Sequence, residues 1–203
     1  MKTIKLSYSI LDAWARGDYE RAVSYYLGDP IPPTDAMKLG AMKHKQWERH
    51  TKSFGTLHDD FGGGKLQRPI TEKKYEKIIP LSDDYRILIR GVVDLEHIED
   101  NVVVIEDYKC GKTPASDYVD GFQLSYYKLL RPRAERGVYR CFNPYTEEVT
   151  KGIRFLDERD AREALEHIIT HGGEMIQYLE SQRLVRDYRG KSKKKKRGKI
   201  QPR

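Results

Sequence analysis

Apolar positions change their spacing several times along the chain, and each change marks an element. The stretch LDAWARGDYERAVSYYL, residues 11–27, has helical spacing, which predicts a helix capped by Ser7 or Ser9 and stopped near Gly28 and the following DPIPP turn. A second helix follows Thr34 or Asp35 through AMKLGAMKHKQWERHTK, and FGTLHDDFGGGKLQRP is rich in turn residues. Three strand candidates come next, KYEKIIPL, YRILIRGVVDLEHI and NVVVIEDYK, separated by the short turns SDD and EDN. DYVDGFQLSYYKLLR predicts a helix, and GVYRCFN and EEVTKGIRFL predict a strand pair across the NPYT turn. DERDAREALEHIITHGGEMIQYLESQ predicts a long closing helix with Gly172-Gly173 as a point of interruption. This order predicts an α/β fold, a mixed β-sheet flanked by helices.

Composition narrows the class. With 203 residues, 38% hydrophobic and 34% charged, the chain is long enough for one domain with a real core. No apolar run approaches the roughly 18 residues of a membrane helix, and MKTIKLSYSILDAW lacks the pattern of a signal peptide. A cytoplasmic location and no membrane partner are the expectation. Cys110 and Cys141 are the only cysteines, too few for an all-cysteine zinc or iron–sulfur site, and are read as reduced thiols.

Charge divides the chain in two. Residues 186–203, RDYRGKSKKKKRGKIQPR, hold ten Lys or Arg against one Asp, which exceeds the whole net charge of +7 and leaves residues 1–185 at −2. Such a run cannot bury enough surface to offset its ordering entropy. The expected organisation is one folded domain over 1–185 and a disordered basic tail over 186–203.

The charges at the end of the third strand candidate raise a chemical question. Side chains two apart share a face, so Val103, Ile105, Asp107 and Lys109 point one way and Val104, Glu106 and Tyr108 the other. The preceding strand closes its own apolar run at Asp94, and the short EHIEDN connection makes a hairpin that can bring Asp94 beside Asp107. Two carboxylates and an ammonium at a sheet rim call for a partner, and a hard divalent cation such as Mg²⁺ or Mn²⁺ takes carboxylate oxygens while keeping waters for a phosphate.

At these residues the chain resembles the PD-(D/E)XK nucleases in their RecB-like form, with Gly91-x-x-Asp94 before Asp107-Tyr108-Lys109. Upstream, Gly40-x-x-x-His44-x-x-x-Glu48 is similar to that group's G-x-x-x-H-x-x-x-E, and downstream Gln123-x-x-x-Tyr127 matches its Q-x-x-x-Y. The resemblance covers roughly residues 7–156. It implies a restriction-endonuclease-like core and an Mg²⁺- or Mn²⁺-dependent deoxyribonuclease that hydrolyses phosphodiester bonds in DNA, single- or double-stranded and largely without regard to sequence. An exonuclease of recombination, repair or mobile-element DNA processing is the form it implies. Iron–sulfur relatives carry four cysteines, so the resemblance here is to the cluster-free single-domain exonucleases.

Role by role, the resemblance implies that Asp94 and Asp107 hold the metal, with the Tyr108 carbonyl and the His44 imidazole as further ligands. Lys109 would stabilise charge developing on the phosphate or orient the attacking water. Gln123 and Tyr127, four apart on one helical face, would reach the phosphate or steady Lys109. Glu48 and Glu76 are additional acidic candidates, with an ordinary exposed face as the competing reading. A catalytically silent nucleic-acid-binding subunit on the same fold is the alternative function, and a partner protein or a second copy is compatible with either. The tail is read as a nonspecific phosphate binder, against a localisation, partner or solubility role. Neither CGKT nor GGGK makes a phosphate loop: the first has Glu106 where a glycine is required, and the second precedes no helix.

Overall fold

The computed structural model describes residues 1–29 and 32–188. In chain order the elements are β1 (Lys2–Ser7), α1 (Tyr8–Ala15), α2 (Tyr19–Leu27), α3 (Asp35–Phe54), β2 (Gln67–Pro80), β3 (Tyr85–Glu99) and β4 (Val102–Cys110). These are followed by α4 (Ser116–Val119), α5 (Phe122–Leu130), β5 (Ala134–Phe142), β6 (Val149–Phe155) and α6 (Glu158–Ser181), and a 3-10 turn lies at Asp59–Phe61. Local chemistry explains several boundaries. The Thr34 hydroxyl accepts the Met37 N–H at the start of α3 (3.2 Å), and Asp157 and Asp160 form a reciprocal capping box at the start of α6.

The sheet is organised around β3. β2 pairs antiparallel along one edge. The other edge is shared: β1 runs parallel from Lys2↔Tyr85 to Ser7↔Arg90, and β4 runs antiparallel from Glu99↔Val102 back to Leu95↔Glu106. Gly91 to Asp94 pair with neither. β4 leaves β3 at this point and continues beside β5 as a parallel pair, and β6 closes the sheet antiparallel to β5. The result is a mixed sheet flanked by helices, as expected, with six strands, β1 being the one the sequence pattern does not predict.

The β3–β4 turn sets the register. Asp100 and Asn101 both have positive φ, 53° and 65°, in a two-residue hairpin of the kind that matches strand twist. Asp and Asn tolerate that backbone better than branched residues do.

Burial splits over the two faces. On one face Ile4, Leu6, Ile87 and Ile89 pack with Leu11 of α1, Tyr126 of α5 and Ile168 and Ile176 of α6. On the other, Trp47 of α3 packs with Leu95, Tyr108 and Phe142. Among the described residues no helix is long and apolar enough to cross a membrane.

Several elements differ from expectation. The first helix is two helices, because Gly17 adopts φ 79° and Asp18 caps α2 through the Arg21 N–H. Ser7 stands at the N-cap of α1 without a side-chain bond, and the residues before it form a strand. The helix expected at 117–131 is split at Gly121 into α4 and α5. Gly172-Gly173 does not interrupt α6. A Cβ at Gly172 would lie 2.5 Å from Ile87 Cδ1, so the missing side chain lets the helix press onto β3.

The chain end also departs from a boundary at 185. Tyr188 N–H donates to Thr3 O (2.7 Å) and Thr3 N–H to Asp187 Oδ1 (3.0 Å), so this segment lies along β1. Arg186 donates from its N–H to the Tyr26 hydroxyl (2.7 Å) and from Nη1 to Leu27 O (2.8 Å). The rest of the expected tail, 189–203, lies outside the described residues.

A chain ending at Tyr188 should melt within about 1 °C of the full chain, since these four bonds are kept. Ending at Val185 removes them. At roughly 0.5 kcal/mol each on an open edge, the loss of about 2 kcal/mol should lower Tm by about 4–8 °C in a calorimetric scan. Equal melting of the two truncations would mean that the segment adds nothing to stability.

Candidate active site

The parting of β3 and β4 makes a fork in the sheet, and the sequence-selected residues gather around it. Leu95↔Glu106 is the last ladder pair, so one more step places Asp94 and Asp107 opposite each other as the strands separate. Asp94 spans the opening through Oδ2, which accepts the Tyr108 N–H at 2.7 Å and satisfies a backbone donor that the ladder no longer serves. The alternation of β3 slips here. Val93 packs with Ile105 and Leu124 on the α5 side, whereas Leu95, two residues on, packs with Trp47 on the α3 side.

Asp107 is 3% exposed and takes its partners from α5. Gln123 Nε2 donates to its Oδ1 at 2.5 Å, and the Tyr127 hydroxyl lies 3.0 Å from the same atom and 2.8 Å from Val92 O, two acceptors for one proton. Gln123 Nε2 also donates to the Tyr127 hydroxyl (3.0 Å), and Gln123 Oε1 accepts from Lys109 Nζ (2.9 Å). Gln123 therefore ties the carboxylate, the ammonium and the phenol into one network. Gly91 allows it: a Cβ there would stand 2.7 Å from Leu130 Cδ1 and 3.2 Å from Tyr127 Cε1, blocking the close approach of α5.

Lys109 Nζ lies 2.6 Å from Asp107 Oδ2. The contact is an ion pair whose angles make no hydrogen bond, so Oδ2 remains a buried acceptor without a hydrogen-bond partner. Burial drives the Asp107 carboxyl above the ordinary carboxylate value; Lys109 opposes this shift and Asp94 adds to it. Burial would lower Lys109, but Asp107 and then Asp94 outweigh it and hold the ammonium above its usual value.

His44 approaches from α3, its Nδ1 3.6 Å from Asp94 Oδ1. Burial alone would depress the imidazole, yet the two aspartates leave it raised. Tyr108 points its ring to this side, against Trp47 and Phe61. The structure thus brings Asp94, Asp107, Tyr108, Lys109, Gln123, Tyr127 and His44 together. Glu48 lines the His44 side of the cleft but pairs with Lys52, and Glu76 pairs with Arg90 on β2, apart from the fork.

One acidic group was missed. Glu72 sits across from Asp94 on β2, between the pairs Thr71↔Leu95 and Lys73↔Val93, and has φ 52°. Burial first, then Asp94 and Glu48, raise its carboxyl. Nothing in ITEKKY marks it, because only the β2–β3 pairing places it there.

Among the described residues no three His, Cys, Asp or Glu side chains form a ready-made metal cage. The donors at the fork nevertheless fit a hard divalent ion. Asp94 and Asp107 occupy opposite register positions where the strands part, Asp107 has a buried oxygen lacking a hydrogen bond, and Mg²⁺ or Mn²⁺ accepts few protein ligands beside water and phosphate. Asp94 and Asp107 would hold such an ion, with His44 and the Tyr108 carbonyl as the remaining protein donors.

No family model matches the chain, and no curated protein does. Solved structures share its fold. A candidate exonuclease from Eubacterium rectale superposes with TM-score 0.56 at 11% identity, covering 90% of this chain and 83% of that one. The alkaline exonuclease LHK-Exo from Laribacter hongkongensis, in complex with dAMP, gives 0.52 at 13%, covering 88% and 91%. SSO0001 gives 0.53 at 17%, covering 86% and 76%. The chain has the restriction-endonuclease-like, PD-(D/E)XK fold.

Two substitutions test the geometry. Gly91→Ala forces α5 outward and should cost about 1–3 kcal/mol of stability by overpacking; unchanged denaturant midpoints would show that the close approach is dispensable. His44→Ala should weaken Mn²⁺ binding in calorimetry by about 10- to 100-fold. Binding within a factor of about two of wild type would make His44 a surface histidine.

Proposed function

We propose that the chain is a metal-dependent DNA nuclease that hydrolyses phosphodiester bonds as an exonuclease, in the DNA processing of recombination, repair or mobile elements. The observation that supports it best is Asp107: a carboxylate buried at the fork opposite Asp94, with Lys109 against its Oδ2 and no hydrogen bond to that oxygen. The fold shared with LHK-Exo and the Eubacterium rectale protein agrees with this reading.

In this reading each side chain has a separate task. Lys109, fixed by Gln123 and kept charged by its carboxylate neighbours, offers N–H donors to the phosphate oxygens as negative charge builds on them. Gln123 sets the direction of Lys109 by holding it and Asp107 at opposite ends of one amide. Tyr127 anchors that amide to the Val92 carbonyl in the stretch of β3 that pairs with neither β1 nor β4. Asp94 keeps the fork at a fixed width through the Tyr108 N–H. A divalent cation held by Asp94, Asp107, the Tyr108 carbonyl and His44 would supply positive charge to the phosphate and make water a better nucleophile near neutral pH.

End-labelled single- and double-stranded DNA incubated with Mg²⁺, Mn²⁺ or EDTA tests the proposal. Cleavage should require the metal, and Lys109→Ala and Asp107→Ala should each abolish it while circular dichroism shows a folded chain. Asp107→Ala should also lose Mn²⁺ binding. Cleavage by either variant at the wild-type rate rejects the site, and DNA binding without cleavage by the wild type favours a silent binding subunit.

A further inference from the structure

Beside the fork lies a second cleft, of about 690 Å³, within the size range of sites for nucleotide-sized ligands. Its inner wall is Gln123 and Tyr127, so it opens onto the candidate catalytic group. Tyr8, Tyr25, Tyr26 and Tyr188 line it. Three of these rings are held by their hydroxyls: Tyr8 donates to Asp12 Oδ1 (3.2 Å), Tyr25 accepts from Arg21 Nε (3.0 Å), and Tyr26 accepts the Arg186 N–H (2.7 Å). Tyr8, Tyr25 and Tyr26 are half-buried against the core, and Arg21 stands 5.3 Å from the centre of the Tyr25 ring, so a cation already lies against that ring.

The charge of the cleft has the sign that suits a phosphate backbone. Lys5, Arg186 and Arg90, the last paired with Glu76, line it against one carboxylate, Asp187, and Lys5 Nζ stands 5.3 Å from the centre of the Tyr188 ring. An adjoining cleft shares Tyr8, Tyr25 and Gln123 with it and is lined by Lys109 as well. Tyr188, the last described residue, stands in the cleft wall, and the next fifteen residues of the sequence hold nine Lys or Arg and no acid. Aromatic faces interleaved with cations suit unpaired bases, whose faces are free to stack; in a duplex those faces are covered by neighbouring pairs.

We propose that this cleft is a base-stacking site for an unpaired DNA strand, with Tyr25 and Tyr188 as stacking platforms and Lys5, Arg90 and Arg186 along the phosphates. The proposal rests on the nuclease reading and adds to it the form in which DNA reaches Lys109. It makes a single strand the preferred ligand and assigns binding to residues outside the fork.

The experiment uses the full chain in EDTA, so that no strand is cut, and reads fluorescence anisotropy of a labelled oligothymidylate and of a blunt duplex. Tyr25→Ser with Tyr188→Ser should weaken single-strand affinity by roughly tenfold or more, the loss expected on removing stacking platforms. Duplex affinity should stay within a factor of about two, as for a surface change. Tyr25→Phe, which keeps the ring, should retain single-strand binding. Tyr188→Ser alone, at the exposed edge, supplies a variant whose folding is not in question. Unchanged single-strand affinity, or an equal loss on the duplex, overturns the proposal. Wild-type hydrolysis of thymidine 5′-(4-nitrophenyl phosphate) with Mn²⁺ tests the nuclease reading separately: if it fails while the stacking variants still lose single-strand affinity, the nuclease reading falls and the binding site stands.

Discussion

The candidate site depends on two strands that are held in strict register and then forced apart. A two-residue turn at Asp100-Asn101 makes Glu99 face Val102, and counting back five residues on each strand brings Asp94 opposite Asp107. A turn one residue longer would move every later side chain to the other face and separate the carboxylates. The ladder ends one pair earlier, at Leu95↔Glu106, so the aspartates meet where backbone hydrogen bonding between the strands stops. There the side chains take over its work: Asp94 receives the Tyr108 N–H and Tyr127 covers the Val92 carbonyl. The same opening that would cost unsatisfied backbone groups makes room for chemistry.

The four residues Glu106-Asp107-Tyr108-Lys109 show why a buried strand ends in charge. Alternation sends Glu106 to the α3 face, where Arg140 binds it through Nε (2.7 Å) and Nη2 (3.0 Å) and His97 Nε2 lies 3.1 Å away. Burial would raise its carboxyl, but His97 and Arg140 together lower it. Glu106 is thus fully compensated, and removing one partner would leave a buried charge alone, which is far costlier than the pair is stabilising. Asp107 one residue later is compensated only in part and stays raised. Adjacent carboxylates of similar burial are separated in character by their neighbours: His97 and Arg140 both favour the charge on Glu106, whereas at Asp107 the help of Lys109 is opposed by Asp94.

Much of this was legible in the sequence, because strand alternation and helical spacing are local properties. They placed Asp107 with Lys109 and Gln123 with Tyr127 on shared faces, and both pairs are in contact in the structure. What escaped depends on partners distant in the chain. β1 carries only Ile4 and Leu6 as buried aliphatic residues, too short a pattern to stand out beside the helix that follows, and it becomes a strand by pairing with Tyr85 to Arg90. Gly172 looks like a helix breaker until Ile87 is placed beneath it. Glu72 is one more charge in a lysine-rich strand until β2 lies against Asp94. Tyr25, Tyr26 and Tyr188 face one cleft only because the chain end returns along β1.

Tyr127 shows why the fold and the site cannot be separated. Its ring lies close over Gly91, its hydroxyl reaches the backbone that neither β1 nor β4 pairs, and through Gln123 it fixes the position of Lys109. A phenol can do this because it spans from the packed layer of α5 to the plane of the sheet and carries one proton at its tip. Phenylalanine would fill the same space and leave the Val92 carbonyl with one partner fewer. The spacing of four residues between Gln123 and Tyr127 is then set by two demands at once, a helix packed on β3 and a polar group delivered to the fork, and one turn of helix meets both.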